Sequence, residues 1–236
     1  MNLLNIYMQE IKIPTFVKWA GGKKQLIEQI KKFLPKEIDV YHEPFVGGGA
    51  VLFYVAQTHN PKKIIIYDIN EELINCLDVI KNDVDSLISN LKELKRHHNK
   101  EQFLKIRQLK HKEISKVESA SRFIYLNKTC FNGLYRVNSK GDFNVPMGNY
   151  KNPAILMEDN LRLISEILKD VNIKLMSFEK IIDNVNKGDF IYFDPPYYPL
   201  NKTSSFTTYT KEQFLEKEQE LLANIFKKLD KKGCKV

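Results

Sequence analysis

Cysteine is scarce in this chain of 236 residues, and the three cysteines lie far apart. Cys76, Cys130 and Cys234 form neither a CxxC pair nor the spacing of a zinc site. Disulfide scaffolds and structural zinc sites both need closely or regularly spaced cysteines. The sequence therefore predicts reduced, structural thiols and no metal centre.

Long apolar runs are also missing. No run approaches the roughly 20 apolar residues that a membrane-spanning helix needs. Gln9, Glu10 and Lys12 interrupt the N-terminal stretch, where a signal peptide would carry its apolar segment. These absences predict a protein without a membrane segment or secretion signal, which places it in the cytoplasm.

Charge, in contrast, is abundant and unbalanced. The chain has 37 Lys and Arg against 29 Asp and Glu, a formal net charge of +8. Such an excess of positive charge favours a polyanionic partner such as nucleic acid. The hydrophobic content of 43% is that of a globular protein, and the length allows one substantial core with room for an insertion.

The stretch Asp194-Pro195-Pro196-Tyr197 follows a short apolar run at 187–193 that is typical of a buried parallel strand. Two prolines cannot continue a sheet ladder, so they stop the strand and hold a carboxylate and a tyrosine at its carboxyl end. Ligands of doubly wound α/β sheets bind at that edge. This makes the stretch a candidate site.

The groups offered there suit chemistry on the exocyclic amine of a planar base. As an adenine N6 amine attacks a methyl group, the Asp194 carboxylate and the Pro195 carbonyl can accept hydrogen bonds from its two N–H groups. Tyr197 can stack on the base. A base in a duplex has first to be flipped out. An ordinary Asp-Pro-Pro turn leaving a strand is the alternative, and the tetrapeptide alone does not separate the two.

A second candidate site begins with a predicted strand at 40–46, the glycines Gly47-Gly48-Gly49 and a predicted helix at 50–56. The next predicted strand, 62–68, ends at Asp68, at the distance from the glycines at which a carboxylate reaches ribose hydroxyls. Leu52 stands where a dinucleotide-binding motif has its third glycine. The pattern therefore disfavours a nicotinamide cofactor and leaves other adenosine-containing cofactors open, with a purely structural turn as the alternative.

A glycine pair also opens the predicted helix through Leu26, Ile27, Ile30 and Leu34. Gly21 and Gly22 allow backbone N–H groups to approach an anion, and Lys23 adds a charge. The full phosphate-loop spacing is absent, so nucleoside triphosphate binding is not expected. A turn with a solvated lysine pair is the alternative.

The middle of the chain is predicted to be helical and basic from 71 to about 121. Residues 122–138, rich in aromatic and amide side chains, are predicted as loop running into a hairpin at 139–148. Such a surface can read base edges or wedge into a base stack. A solvated helical face and an ordinary hairpin are the alternatives.

The C-terminal part returns to α/β alternation. A helix is predicted at 161–168, a strand at 173–178, and an amphipathic helix from 211 through Leu229. The hydroxyl-rich loop 201–210 is a candidate lid. Gly233 to Val236 reads as the start of another strand. We therefore expect a discontinuous catalytic core, 1–75 and 157–236, around a target-recognition insert, 76–156.

Taken together, the chain resembles the Dam-type DNA adenine-N6 methyltransferases, including the GATC-modifying members of restriction–modification systems. The resemblance covers about Pro14 to Val236 and rests on four motifs in the family's order. They are Lys18-Trp19-Ala20-Gly21-Gly22-Lys23, Glu43-Pro44-Phe45-Val46-Gly47-Gly48-Gly49-Ala50-Val51, Asp68-Ile69-Asn70 and Asp194-Pro195-Pro196-Tyr197.

The resemblance implies a Rossmann-like sheet with helices on both faces, a helical and β-hairpin recognition insert, S-adenosylmethionine as cofactor and double-stranded DNA as partner. It implies cofactor contacts from Trp19, Ala20, Gly21, Lys23, Phe45, Gly47, Gly49, Asp68, Phe178 and Asp194. It implies catalytic roles for Asp194, Pro195, Pro196 and Tyr197, without a metal. It implies DNA contacts from Lys18, Lys128, Phe131, Asn132, Leu134, Arg136 and Pro146, and GATC as the sequence read.

Family members continue with further strands beyond the point where this chain ends, so we expect a truncated polypeptide or one completed by another chain. A catalytically inactive or partner-completed DNA-binding subunit is therefore an alternative function. Methylation of cytosine N4 or of an RNA amine is another, because the Asp-Pro-Pro-Tyr geometry serves any planar exocyclic amine. A restriction endonuclease acting on the same site is a candidate partner.

Overall fold

The computed structural model describes residues 11–138, 140–197 and 214–236. The candidate lid at 201–210 and the expected start of the last helix, 211–213, lie outside the described residues. Within the described ranges, no helix is both long enough and apolar enough to cross a membrane.

The described elements alternate as an α/β protein does. A 3₁₀ turn (Lys23–Leu26) and α1 (Ile27–Ile30) precede β1 (Val40–Pro44), α2 (Ala50–Thr58) and β2 (Lys63–Asp68). Four helices follow, α3 (Glu71–Asn82), α4 (Val84–Arg96), α5 (Lys100–Gln108) and α6 (Lys116–Thr129). The chain then forms α7 (Glu158–Leu168), β3 (Val171–Leu175), a 3₁₀ segment (Phe178–Asn184), β4 (Phe190–Ile191) and α8 (Glu216–Lys232).

The strands form one parallel sheet in the order β3-β2-β1-β4. Tyr41 of β1 lies opposite Ile64 on one side and Phe190 on the other. Beyond β4, Lys235 makes a parallel bridge to Phe190, and its carbonyl accepts a hydrogen bond from the Ile191 N–H at 2.8 Å. The prediction that Gly233 to Val236 begin another strand is confirmed.

Both faces of the sheet are covered, as the side-chain alternation of β2 shows. Ile64 and Ile66 point into one hydrophobic cluster with α2, α3, α6 and α7, whereas Ile65 and Tyr67 point into a second with the 3₁₀ segment and α8. Successive strand residues face opposite sides, so a strand buried on both sides is apolar throughout. The predicted Rossmann-like α/β fold with helices on both faces is confirmed.

Helix α6 corrects the prediction of loop for 122–138. It extends to Thr129, and residues 119–129 are all buried. From Ser119 onward the helix is surrounded by its neighbours and has no solvated face, so the periodicity of an amphipathic helix is missing from that part of its sequence. Its start did carry a signal, because Ser115 and Glu118 form a capping box.

The hairpin prediction is confirmed, with arms that are longer than expected. The N–H groups of Phe131 and Asn144 donate to the carbonyls of Pro146 and Arg136, at 2.9 and 3.1 Å. Bridges pair Cys130 with Met147 and Val137 with Phe143. The tip closes at Asn138, whose side-chain oxygen accepts from the N–H groups of Lys140 and Asp142.

Other predicted boundaries moved by a few residues. The strand predicted at 173–178 is β3, Val171–Leu175, because the chain turns into the 3₁₀ segment at Phe178. The helix predicted through Leu34 has only one α-helical turn, and the N–H of Phe33 then bonds the carbonyl of Ile30, three residues back, at 2.9 Å. That shorter bond pattern ends the helix.

Candidate functional site

The carboxyl ends of the central strands bring the predicted catalytic and cofactor residues to one edge of the sheet. Asp68 ends β2, and its carboxylate accepts hydrogen bonds from the N–H groups of Gly47 at 3.3 Å and Asn70 at 2.9 Å. Burial raises the pKa of Asp68, and these backbone bonds oppose the rise. Asp68 therefore fixes the glycine loop after β1 against the start of α3.

The glycine loop is shaped by the close approach of an indole ring. Gly47 has a φ of +49°, and a Cβ added there would lie 2.6 Å from Nε1 of Trp19. Any larger residue would both strain the backbone and displace the indole. Two segments that lie far apart in the sequence, the Trp19 motif and the glycine loop, thus form one wall of the site.

Asp194 forms an ion pair with Lys23 at the same edge. The Lys23 ammonium lies 2.5 and 2.6 Å from the two carboxylate oxygens, and it also donates to the Tyr197 hydroxyl at 3.2 Å. The Lys23 and Asp194 side chains are 12% and 25% exposed, so the pair is largely sheltered from water. Burial raises the pKa of Asp194 against the opposing effect of Lys23; Asp194 in turn raises the pKa of Lys23, although burial lowers it.

Strand β4, which delivers Asp194, is attached to its neighbours by a buried polar network. Nε2 of His42 lies 3.1 Å from the Asp189 carboxylate, and Nδ1 lies 2.9 Å from the Tyr67 hydroxyl. Burial lowers the pKa of His42 despite the carboxylate beside it. These contacts join β1, β2 and the residue preceding β4, so they fix the base of the strand that carries the site.

Glu43 is a buried acid that received no separate role in the sequence analysis. It is 2% exposed, and its carboxyl group accepts a hydrogen bond from the Tyr41 hydroxyl at 2.8 Å. Burial raises the pKa of Glu43 to about 8. The signal was present in the sequence, because an acid within a strand predicted to be buried carries a desolvation cost.

Aromatic rings form the wall around Phe45. Its ring centroid lies 5.1 Å from that of Phe178 and 5.6 Å from that of Phe214. Phe45 itself has a φ of +64°, which is unusual for a residue with a side chain. Phe214 is a contributor that sequence analysis missed, since it appeared only as part of an amphipathic helix pattern.

The outer face of the hairpin presents a row of side chains to solvent. Asn144 and Pro146 are exposed and Arg136 is partly exposed, and these residues alternate with the buried residues Tyr135, Phe143 and Val145. Leu134, in contrast, is only partly exposed and packs against the hydrophobic core. Nε of Arg136 donates to the Asn144 side-chain oxygen at 2.8 Å. Asn144, which was not predicted, therefore orients the arginine.

The remaining predicted contacts lie beside the hairpin. Phe131 is 52% exposed, and Asn132 is exposed with a φ of +53°. The Lys18 side chain packs on Gly133, and its ammonium lies 4.2 Å from the centroid of the Tyr150 ring. The structure thus brings these residues to one surface with the outer face of the hairpin.

Comparison with known proteins identifies the family. The model of the D12 class N6 adenine-specific DNA methyltransferases matches residues 19–236. The chain belongs to this family. It is also similar to named relatives along almost its whole length.

Three of these relatives illustrate the similarity. The type II methyltransferase M.MjaIII of Methanocaldococcus jannaschii is 50% identical over 96% of this chain and 83% of its own length. The type II methyltransferase M1.LlaDCHI of Lactococcus lactis subsp. cremoris is 45% identical over 99% and 82%. The DNA adenine methylase of Haemophilus influenzae is 35% identical over 94% and 77%. The predicted family is therefore confirmed.

Within this D12 methyltransferase, one predicted DNA contact has an unexpected position. Lys128 is only 6% exposed, and its ammonium lies 3.7 Å from Sδ of Met157. Burial lowers the pKa of Lys128 to about 8, helped by the charge of Lys18. The structure thus places this lysine inside the fold, on α6, rather than on an exposed surface.

The basic helices are also less available than the sequence suggests. Several of their lysines form ion pairs with acids of the same chain. Lys92 pairs with Glu158 at 3.0 Å, and Lys112 pairs with Glu71 at 2.7 Å. These exposed pairs contribute little to stability, and they reduce the net positive charge that this surface offers to phosphates.

Proposed function

We propose that this chain transfers a methyl group from S-adenosylmethionine to N6 of adenine in double-stranded DNA. The observation that carries the proposal is the position of Asp194. Its carboxylate stands at the carboxyl edge of the sheet, in the Asp-Pro-Pro-Tyr sequence, on the same edge as the Asp68 and Gly47 loop. Parallel strands bring their carboxyl ends to one edge, which supports a common site for the amine acceptor and the nucleoside.

The donor groups of this edge fit the cofactor. Asp68 offers a partly exposed carboxylate for ribose hydroxyls, and Phe178 and Phe45 offer ring faces for an adenine. Trp19, packed on Gly47, continues the wall toward Ala20, Gly21 and Lys23, at the end where the methionine part would lie. Gly49, with a φ of +71°, starts α2. When bound, S-adenosylmethionine supplies an electrophilic methyl group on a sulfonium.

The protein's part in the chemistry is to hold the target amine. The Asp194 carboxylate and the Pro195 carbonyl accept hydrogen bonds from the N–H groups of the amine while positive charge develops on the nitrogen. Tyr197 stacks on the base. Pro196 keeps this corner rigid. Lys23 already contacts both carboxylate oxygens, but a carboxylate has about four acceptor positions, so the amine can share Asp194 with it.

The site requires a base outside the double helix. Asp194 lies in a sheltered corner, which a base paired within a duplex does not reach. Flipping the adenine out of the stack is therefore part of the proposal, and Phe131 and Asn132 are the candidates to enter the vacated position.

We assign GATC as the sequence read. Arg136 would contact a guanine with two hydrogen bonds, Leu134 and Pro146 would touch thymine methyl groups, and Lys18 would contact the flanking base pair. The exposure of Pro146 and the partial exposure of Leu134 and Arg136 support this assignment. Lys128 is retained as a weaker candidate for DNA contact, because of its burial.

The names of two relatives, both type II methyltransferases, favour a role beside a restriction endonuclease that acts on the same site. Methylation of cytosine N4 or an RNA amine, and a partner-completed subunit without activity, are the competing functions.

The proposal is tested by methyl transfer from tritiated S-adenosylmethionine to three matched duplexes, one with GATC, one with a scrambled site and one with GATC methylated on both strands. We expect label only in the unmodified GATC duplex, recovered as N6-methyladenine. Label in N4-methylcytosine or in RNA would favour the competing chemistry. Cofactor binding without label in any duplex would favour the inactive subunit.

A further inference from the structure

Tyr135 is the buried residue between two proposed base-reading residues, Leu134 and Arg136. It is 5% exposed, and its hydroxyl donates a hydrogen bond to Oε1 of Glu72 at 2.7 Å. Glu72 lies in the first turn of α3, directly after the Asp68-Ile69-Asn70 motif. The recognition hairpin is therefore attached, through one phenol, to the helix that begins just after Asp68, the carboxylate proposed to bind ribose.

The Tyr135 ring makes a second contact with the cofactor site. It stacks with Trp19, with ring centroids 6.1 Å apart and an angle of 24° between the planes. Trp19 packs in turn against Gly47. Tyr135 thus touches side chains from two separate walls of the cofactor site, the Trp19 wall and the start of α3.

The partner of Tyr135 is itself fixed in place. The other oxygen of Glu72 lies 2.6 Å from Nη1 of Arg122, and both side chains are 4% exposed. A buried ion pair that also accepts a phenol hydrogen bond is a rigid anchor, since breaking one contact leaves a buried charge under-solvated. Movement of α3 is therefore transmitted to Tyr135 rather than absorbed by the anchor.

We propose that Tyr135 is a positioning residue that couples occupancy of the cofactor pocket to the reading of DNA by the hairpin. The inference rests on the proposed function. Cofactor binding sets the positions of Trp19 and of the start of α3. Tyr135 contacts both, so it transmits a change in either position to the neighbouring backbone of Leu134 and Arg136. Because coupling between two sites is reciprocal, DNA carrying the correct sequence must tighten cofactor binding by the same factor.

The test uses Trp19, the one tryptophan of the chain, as a fluorescent reporter of cofactor binding. The dissociation constant of S-adenosylhomocysteine is measured for the full chain alone, with a GATC duplex, and with a duplex in which one outer base pair is replaced. Tyr135→Phe removes only the hydroxyl. Tyr125→Phe is the matched control, because it removes a buried phenol whose hydroxyl contacts His98, at 2.8 Å, away from the cofactor site.

In the wild-type protein, we expect the GATC duplex to tighten S-adenosylhomocysteine binding about 10-fold more than the altered duplex does. Tyr135→Phe should reduce this ratio to below about 2-fold while the affinity without DNA changes by less than about 3-fold, and Tyr125→Phe should keep the wild-type ratio. Thermal melting of each variant fixes an assay temperature well below its midpoint.

Three results overturn the proposal: no coupling in the wild type, full coupling in Tyr135→Phe, or an equal loss in Tyr125→Phe, which would indicate general loosening. The methyl-transfer assay on the same wild-type preparation separates this failure from that of the proposed function. If the wild type methylates GATC and Tyr135→Phe keeps its coupling, only the coupling proposal fails.

Discussion

The edge of the sheet and the outer face of the hairpin hold their polar groups in opposite ways. At the sheet edge, Asp194 and Asp68 are sheltered and already accept hydrogen bonds from Lys23 or from the backbone. On the hairpin, Phe131 and Asn132 are exposed, and Arg136 is held by a neighbour on the opposite arm, Asn144. Chemistry benefits from groups whose positions are fixed before the substrate arrives, whereas reading a duplex needs groups that reach outward.

The two regions differ in how they are attached to the core as well. Parallel strands and the His42 network support the sheet edge from below. The hairpin is attached mainly by its inward row, in which Tyr135 reaches the buried Glu72–Arg122 pair. This asymmetry predicts that substitutions at the sheet edge affect the rate of transfer, and that those on the hairpin affect the choice of sequence.

The largest effect is expected for Asp194→Ala. Loss of the carboxylate removes the acceptor of the target amine, so methyl transfer should fall about 10³-fold. DNA affinity should stay within about 3-fold, because the hairpin is unchanged. Asp85→Ala, which removes an exposed acid paired with Arg162, is the control and should retain activity. Substantial turnover by Asp194→Ala would refute the proposed mechanism.

A smaller effect is expected for Lys128→Met, which decides to which region Lys128 belongs. Burial holds the pKa of Lys128 near 8 in the folded protein, below its ordinary value of 10.5. The charged form is therefore disfavoured by folding at neutral pH, and Met should raise the free energy of unfolding by about 1–3 kcal/mol at pH 7. The gain should shrink as pH rises from about 8 to 10.5, where the unfolded lysine also loses its proton.

Chemical denaturation at several pH values measures this gain, with Lys95→Met, at an exposed site, as the control. The salt dependence of DNA binding tests the alternative, in which Lys128 contacts DNA. If the slope of log affinity against log salt falls by about 1 in Lys128→Met, the lysine contacts a phosphate and belongs to the recognition surface.

A second effect on stability concerns Glu43, at the sheet edge. The pKa of Glu43 is about 8 in the folded protein, whereas its ordinary value is 4.5. Between these values the folded protein keeps a proton that the unfolded chain releases. The free energy of unfolding should therefore decrease between about pH 5 and 8, and Glu43→Gln should remove that part of the decrease. Melting temperatures across this range test the difference, expected to be a few degrees. Parallel curves for the variant and the wild type would contradict it; exposed Glu166→Gln is the control.

Much of the sheet edge was predictable because its signals are local. Glycines follow the apolar run 40–46, an aspartate ends 62–68, and prolines follow 187–193 after Asp194; parallel strands bring such ends together. The roles of Glu43 and Phe214 were not predictable in the same way. Glu43 stands out as an acid within a predicted strand, but its hydrogen bond with Tyr41, like the contact of Phe214 with Phe45, depends on which side chains meet after folding.

The recognition region was less predictable, and α6 shows why. Its aromatic and amide residues resemble those of a loop, but Asn127 lies inside the fold, where its side chain accepts from the N–H of Lys18 at 2.7 Å and donates to the Gly133 carbonyl at 3.0 Å. A helix enclosed by other helices loses the polar face that identifies it. The alternation of the hairpin arms predicts which side chains point outward, but not that Tyr135 meets Glu72.

The most direct test of a division between transfer and reading is the single-turnover methyl-transfer rate of Arg136→Ala on a GATC duplex and on a duplex with the contacted guanine replaced. The account predicts that the preference for GATC decreases by about 1–3 kcal/mol, that is roughly 5- to 150-fold, while the rate on the altered duplex stays close to that of the wild type. Equal losses on both duplexes would contradict it, because Arg136 would then contribute to transfer itself.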